Sequence, residues 1–468
     1  MSAARPASLR RDIFSAYIAT AAKIGSWVIA SALVFRFLGP ASFAMLALIR
    51  GTIGLLNYIS LGLAPALIHE ASQAPPTHSP NTPQSSSDHT LSYFAPERFE
   101  LTLSTIYANA LLIALTLFAI GMAAAVVFAS QFEHVFHVPS NLGDLGEVTC
   151  FIGIGTLLRL MGDVPGAVLQ VRSRIVKDNI FVAVGDVLWT AGVVLICTSR
   201  HNEGALLGTA WWYAISGTIA FMLRLNGAAR ETNVHVPRPA LWNAAIIKRL
   251  LGYGLLVVLA QLADYLYAPT DYILIDHLLS PLDIASYAPA LQIDGALLLL
   301  VSGLSSVMLP RAAVAHAQGD AATVRRYYVV GSLSSLGLLA GTSLLAWVAS
   351  PWIFRLWLGN PMPETQRILP VLLICTTLGG SSMVGRSILL AVGKVWPFTA
   401  AVLIAGVTNV VCSYIFVTRF HWGLRGIVLG TVVAVVARCG IWMPWYVMRV
   451  LRSGVDVESI ESVPLVQE

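Results

Sequence analysis

Apolar runs of roughly 20 to 30 residues follow one another almost from end to end of the chain, each closed by a short polar or Gly/Pro-marked break. About 20 apolar residues in a helix match the hydrocarbon thickness of a bilayer. The pattern predicts twelve spans: 13–38, 43–69, 100–130, 147–170, 179–198, 204–226, 246–276, 284–309, 326–349, 367–392, 397–418 and 425–448. The third and seventh are long enough to need tilt or a kink. Pro269, with no backbone N–H, is placed to kink the seventh.

The breaks repeat in order. Leu38-Gly39-Pro40-Ala41-Ser42-Phe43-Ala44 follows the first span, and Leu279-Ser280-Pro281-Leu282-Asp283-Ile284-Ala285 follows the seventh. Gly204-Ala205-Leu206-Leu207-Gly208-Thr209 opens the sixth, and Gly426-Ile427-Val428-Leu429-Gly430-Thr431 opens the twelfth. The expected fold is an all-α polytopic membrane protein, with two six-helix lobes as parallel pseudo-two-fold repeats around a central cavity. An even span count makes both copies enter the membrane from the same side, and transporters built this way place their site near the midplane where the halves meet. The expected organisation is an N-terminal lobe at 1–226, a cytoplasmic linker at 227–245, a C-terminal lobe at 246–450 and a tail at 451–468. Residues 71–99, rich in Pro, Ser, Thr, Asn and His, read as a disordered cytoplasmic loop. Both Gly204/Gly208 and Gly426/Gly430 are G-x-x-x-G pairs, expected to allow close helix approach.

Composition agrees with the pattern. The chain is 56% hydrophobic and 11% charged, against roughly 25% charge in soluble domains. The net charge of +5 marks topology rather than a nucleic-acid partner. On the predicted spans eighteen Lys and Arg fall on one side and five on the other, an asymmetry that places both termini in the cytoplasm. Arg224 belongs to the cytoplasmic set. The five cysteines, Cys150, Cys197, Cys375, Cys412 and Cys439, lie in apolar spans without metal-ligand spacing and read as small hydrophobes. Arg10 and Arg11 before a full-length apolar run indicate a retained first helix, not a cleaved signal.

Several segments resemble the polysaccharide flippases, the O-antigen and exopolysaccharide repeat-unit translocases of the multidrug/oligosaccharidyl-lipid/polysaccharide exporter superfamily. These are Arg36-Phe37-Leu38-Gly39-Pro40-Ala41-Ser42-Phe43, Leu61-Gly62-Leu63-Ala64-Pro65-Ala66-Leu67, Thr270-Asp271-Tyr272-Ile273-Leu274-Ile275, Leu389-Leu390-Ala391-Val392-Gly393-Lys394 and Asn409. The resemblance covers nearly the whole chain. It implies outward flipping of an undecaprenyl-pyrophosphate-linked oligosaccharide across the bacterial inner membrane by alternating access, for O-antigen, capsule or exopolysaccharide (lipopolysaccharide or polysaccharide biosynthesis). A polysaccharide polymerase and chain-length proteins are the partners it suggests, and no cofactor is expected.

Lys23, Arg50, Arg159, Arg386 and Arg438 fall deep within spans. At about 3 kcal/mol each on insertion scales, five unpaired cations cost on the order of 15 kcal/mol, which exceeds typical fold stability. They must be paired or line a hydrated cavity, and a cation-lined cavity suits a pyrophosphate, which Arg can hold bidentately. All five are candidate substrate-binding residues. Asp163, one turn from Arg159, offers the alternative of a local pair, and Arg36 at a span end is expected to snorkel. Asp264, Asp271 and Asp294 are candidates for coupling a proton or sodium ion, or for balancing Arg386 and Arg438. Asp264 and Asp271 share a helix face. Asp276 is expected to be solvated at a helix end.

Other chemistry is not supported. Gly380-Ser381-Ser382-Met383-Val384-Gly385-Arg386-Ser387 approaches a P-loop, but lies inside an apolar span with no preceding strand. No catalytic constellation is defensible, and Glu133, His134 and His137 read as a solvated loop rather than a metal site. The alternatives are a drug/cation antiporter of the same superfamily, which would use a carboxylate-rich cavity, and an integral-membrane glycosyltransferase, polymerase or ligase. The first outer loop has no carboxylate, which disfavours the enzyme.

Overall fold

The computed structural model describes residues 9–60, 62–72, 95–138, 142–199, 204–232, 234, 241–252, 268–392 and 394–452. The expected loop 71–99, the tail 451–468 and Asp264 fall wholly or largely outside them. The described residues form helices and turns with no strand, and ten stretches are long and apolar enough to cross a bilayer. This is a multi-pass, all-helical membrane protein. The chain divides into two compact units, Met1–Leu262 and Ala263–Glu468.

The first unit contains α1 (Leu9–Leu33), α2 (Gly39–Ile53), α3 (Leu63–Ser72), α4 (Ala95–Val135), α5 (Leu145–Met161), α6 (Asp163–Val171), α7 (Ile175–Ser199) and α8 (Ala205–Thr232). One expected span is broken and another is joined to its neighbour. A widened π turn, Val34–Leu38, joins α1 to α2, so Tyr17–Ile53 reads as one 37-residue stretch. At about 1.5 Å per residue that stretch exceeds the roughly 30 Å hydrocarbon core. Gly39, at φ +89°, supplies a break that a residue with Cβ adopts poorly. Pro40 then occupies the first turn of α2, where its missing N–H is harmless. The expected 43–69 span is not one helix, since a 3-10 segment, Gly54–Ser60, separates α2 from α3. The expected 147–170 span is seen as α5 and α6 joined through Gly162, whose N–H still bonds the Leu158 carbonyl, and Leu145–Val171 forms one crossing stretch.

The stretch expected to be a linker is partly helix, because α8 continues to Thr232. A fully buried Asn109 on α4 then anchors the chain after it. Its Nδ2 donates to the Leu241 carbonyl at 2.8 Å, and its Oδ1 accepts from Asn243 N–H at 2.9 Å. A helical segment follows at 244–252.

The second unit contains α9 (Ala268–Leu278), α10 (Pro281–Ala317), α11 (Ala321–Leu358), α12 (Pro363–Ala391), α13 (Val395–Thr418), α14 (Gly423–Val435) and α15 (Met443–Arg452). A π turn, Val436–Trp442, links the last two. Pro269 lies in α9 beside residues 253–267, so its expected kink of the seventh span falls outside the described residues.

The packing plan repeats. In the first unit α1 packs on α7, α4 on α5, α5 on α8 and α7 on α8; in the second, α9 packs on α13, α11 on α12, α12 on α14 and α13 on α14. Tyr107, Leu111, Val168 and Phe221 form part of one core, and Tyr328, Val384, Ile388, Phe398 and Met443 part of another. The two G-x-x-x-G pairs behave differently. A Cβ on Gly430 would lie 2.1 Å from Ser413 Oγ and 2.7 Å from its backbone N, whereas one on Gly208 would meet only Ile196 side-chain atoms, at 3.1 Å, and Gly204 has open space. A close crossing in the first unit involves Gly155 and Gly217, where a Cβ on Gly217 would lie 2.9 Å from the Gly155 carbonyl oxygen.

Candidate functional site

Three of the five intramembrane cations meet in one cavity of about 250 Å³ inside the first unit. Lys23 comes from α1, Arg50 from the last turn of α2 and Arg159 from the last turn of α5. Aromatic rings hold the arginines. Trp27 stacks on Trp189 with centroids 5.4 Å apart, and the Arg50 guanidinium lies 3.5 Å from the Trp27 ring centroid. The Arg159 guanidinium lies 4.0 Å from the Tyr213 ring, which meets Trp189 edge-on at 5.3 Å. Planar guanidinium groups stack on ring faces in this way.

Arg159 does not make the local pair with Asp163. Its Nη1 donates to the Tyr213 carbonyl and its Nη2 to Ser216 Oγ, both at 3.0 Å, while Asp186 on α7 lies 3.6 Å from Nη2. The other oxygen of Asp186, Oδ2, is buried with no hydrogen-bond partner. Asp163 instead pairs with Arg224 at 2.9 Å, and Arg224 Nε donates to Asp178 at 2.7 Å. Gln170 Nε2 donates to the second Asp178 oxygen at 2.9 Å. Arg224 is therefore no topology marker in a loop: it is buried in the helix bundle, where Asp178 and Asp163 compensate the cost of desolvating it. Gly166 leaves room for it, since a Cβ there would lie 2.4 Å from Arg224 Nη2.

The cavity is thus of mixed sign. Lys23, Arg50, Arg159 and Arg224 line it together with Asp163 and Asp186, and Asp178 stands behind Arg224. One positive charge is left over among these groups.

The second unit handles charge differently. Asp271 is fully buried. Its Oδ1 accepts from Asn409 Nδ2 at 2.9 Å, and its Oδ2 from Tyr287 O–H at 2.7 Å and Thr431 O–H at 3.1 Å. Asp294 accepts from Thr376 O–H at 2.5 Å. Ion pairing of Asp271 or Asp294 with Arg386 or Arg438 is not what the structure forms, because neutral donors reach these carboxylates first. Arg386 lies 5.6 Å from the Phe398 ring, and Arg438 Nε donates to Cys439 Sγ at 3.3 Å. Asp276 also departs from expectation. It is 1% exposed, with Oδ2 3.0 Å from His277 Nδ1.

Sequence reasoning missed Trp27, Asp178, Asp186, Trp189, Tyr213 and Arg224. The carboxylates were visible, since Asp178 and Asp186 stand at the start of and inside the apolar fifth span. The aromatic residues gave no signal, because a membrane helix uses the same types for packing.

Residues 257–415 match the family model described as MatE. No match is found among curated proteins. An inward-facing multidrug resistance MATE family transporter of the MOP superfamily matches with a TM-score of 0.75 at 14% identity, over 94% of this chain and 99% of that one. An outward-facing one matches with a TM-score of 0.65 at 15% identity, over 95% and 96%. A MATE protein in complex with MaD3S gives 0.65, 15%, 95% and 96%. With this coverage, the chain has the fold of the MATE transporters of the MOP superfamily.

Proposed function

We propose that this protein is a secondary transporter working by alternating access, and that its cargo is an anionic lipid-linked oligosaccharide moved from the cytoplasmic to the periplasmic leaflet of a bacterial inner membrane. The observation that carries the substrate class is the cavity of the first unit, where Lys23, Arg50 and Arg159 converge with a positive charge in excess. An excess cation in a low-dielectric site favours an anion, and a pyrophosphate offers acceptors to several donors at once. Asp271 and Asp294 are the candidates for coupling to a proton or sodium ion. Transport by this scheme needs no covalent chemistry.

A drug/cation antiporter is the second reading, and the comparisons support it better than the flippase. The MatE match and the multidrug resistance names of the similar structures favour it. The orphaned Asp186 oxygen in the same cavity is an acceptor that a cation would satisfy.

One strain pair separates them. Deletion should trap lipid-linked repeat units on the cytoplasmic face, with rescue by the wild-type chain and not by Lys23→Ala/Arg50→Ala. Normal sidedness in the deletion strain, together with increased sensitivity to cationic drugs, would replace the flippase by the antiporter. Repeat units that reach the outer face but stay unpolymerised or unattached would point to the enzyme alternative.

A further inference from the structure

The last helix, α15, carries two different stripes. Met443, Val447 and Val450, spaced i, i+4, i+7, are buried, and Met443 and Val447 belong to the core of the second unit. Trp445, Arg449 and Arg452 repeat that spacing two residues on and are exposed, so they form another face of the helix. The Arg449 guanidinium lies 5.4 Å from the Trp445 ring centroid. α15 packs on α11 and α12, and α11 opens with exposed Arg325 and Arg326. Val324 and Tyr328, which flank that pair, lie in the same core as Met443, as does Phe398 of α13. Lys394 and Trp396, close before Phe398, are exposed. The core therefore brings Arg325, Arg326, Lys394, Arg449 and Arg452, with Trp396 and Trp445, to one end of the second unit. The apolar stretches Ala321–Leu358 and Trp396–Thr418 begin at this end, and Gly423–Arg452 finishes there.

Negative charge is scarce at this end. Segments 308–328, 384–400 and 436–452 contain one carboxylate, Asp320, and it is engaged as the cap of α11, accepting from Thr323 N–H at 2.9 Å. The other end of the unit is mixed in sign. There Asp283, Glu364, Arg367, His421 and Arg425 line one cavity, and Arg367 pairs with Glu364. Exposed cations beside indole rings match the headgroup layer of a bilayer: indoles settle at the membrane–water interface, and Lys or Arg near the surface gain energy from anionic lipid. We infer that this end of the second unit is a docking surface for the headgroups of anionic phospholipid, held between the Trp445/Arg449/Arg452 stripe of α15 and the opening turn of α11. Phosphate oxygens that accept from guanidinium groups on both helices tie α11 to α15, so the lipid composition of the facing leaflet acts on the packing of the second unit. The inference is independent of the cargo. The competing occupant is the tail after Arg452, which carries Asp456, Glu458, Glu461 and Glu468. Lipid is favoured over it because the exposed Trp396 and Trp445 rings suit a bilayer interface and offer nothing to a carboxylate.

The test extracts the full-length protein from bilayers of phosphatidylcholine and phosphatidylglycerol in equal amounts and identifies the retained lipid by native mass spectrometry. Phosphatidylglycerol should be enriched about tenfold, given the attraction per Lys or Arg near an anionic surface. Arg449→Gln/Arg452→Gln and Arg325→Gln/Arg326→Gln should each remove part of the enrichment, and the four changes together nearly all of it. Arg449→Lys/Arg452→Lys keeps the charge and should keep most of the enrichment. Arg355→Gln/Arg419→Gln, at the other end of the unit, should leave it unchanged. Thermal unfolding of each variant checks the fold, and where the fourfold variant does not fold the two pairs decide. Equal retention of the two lipids, enrichment that survives the Gln changes in a folded protein, or an equal loss from Arg355→Gln/Arg419→Gln overturns the inference. Loss of the enrichment in millimolar inorganic phosphate overturns the lipid assignment in favour of a free anion. Enrichment that appears only after Asp456→Asn/Glu458→Gln/Glu461→Gln/Glu468→Gln overturns it in favour of the tail.

Discussion

In the first unit charge inside the bundle meets opposite charge: Arg224 is clasped by Asp178 and Asp163, and Arg159 faces Asp186 across the cavity. In the second unit the buried carboxylates meet neutral donors, with Tyr287, Asn409 and Thr431 on Asp271 and Thr376 on Asp294. Part of each set stands on corresponding helices, with Asp178 and Asp186 on α7 and Arg224 on α8 in the first unit, and Asn409 on α13 and Thr431 on α14 in the second. One packing plan therefore supports two ways of keeping polar groups in an apolar bundle. An ion cluster can hold a net charge over for a ligand, whereas a carboxylate satisfied by hydroxyl and amide groups keeps its own negative charge locally solvated. The first suits a binding chamber, and the second a group that gains or loses a proton or cation.

The largest test of this contrast is Arg224→Ala. It leaves Asp178, 3% exposed, without its cation, and removing one partner of a buried pair destabilises by about 3–5 kcal/mol. Denaturation of the detergent-solubilised protein should show it, and a loss below about 1 kcal/mol would mean water already compensates the cluster. Next comes Asp271→Ala in the second unit. It strands the Tyr287 O–H and Asn409 N–H donors, while Thr431 O–H keeps Asn409 Oδ1 and the Ile427 carbonyl; a lost buried partner is worth about 1–3 kcal/mol, and Asp271→Asn should retain part of the network. A near-zero effect there, with a large one at Arg224, would sharpen the difference between the units.

The glycine pairs give a smaller and directly paired comparison. Gly430→Ala drives a Cβ onto Ser413 backbone and side chain, and overpacking of this kind costs about 1–3 kcal/mol. Gly208→Ala meets only a flexible Ile196 side chain, so helix propensity, about 1 kcal/mol in favour of Ala, should offset the contact. Equal melting shifts in the two variants would contradict the asymmetry.

The smallest effect concerns Asp320, the cap of α11. Its carboxylate accepts from Thr323 N–H at 2.9 Å, and the hydrogen bonds to Thr323 hold its pKa below the ordinary carboxylate value. A depressed pKa means that the contribution is present above the unfolded pKa and fades as pH falls through the folded one. Acid titration by NMR or infrared should place Asp320 below a reference Asp, and Asp320→Ala should remove that slice of acid sensitivity without altering behaviour near neutrality.

Much of the architecture was legible because its signals are local. Apolar runs near 20 residues mark helices that cross a bilayer, and matching breaks such as Leu38-Gly39-Pro40 and Leu279-Ser280-Pro281 disclosed the repeat. The interruption at Gly54–Ser60 was not legible. A long apolar stretch reads the same whether its helix is continuous or broken, since hydropathy carries no record of backbone hydrogen bonding. Deep cations were visible as residues that must be compensated, which singled out Lys23, Arg50, Arg159, Arg386 and Arg438, of which only the first three line the charged cavity.

By itself the sequence determined that this chain spans a membrane many times, that its halves repeat, and that uncompensated charge must gather somewhere within them. Those conclusions follow from the free energy of placing each residue type in hydrocarbon. Only the tertiary structure decided that Arg159 faces Asp186 and not Asp163, that Arg224 is interior, and that a second cavity shares Leu160 and Asp163 with the charged one. A charged group takes the partner its helix neighbours bring within reach, and that choice depends on helix rotation and crossing, which spacing along the chain does not encode.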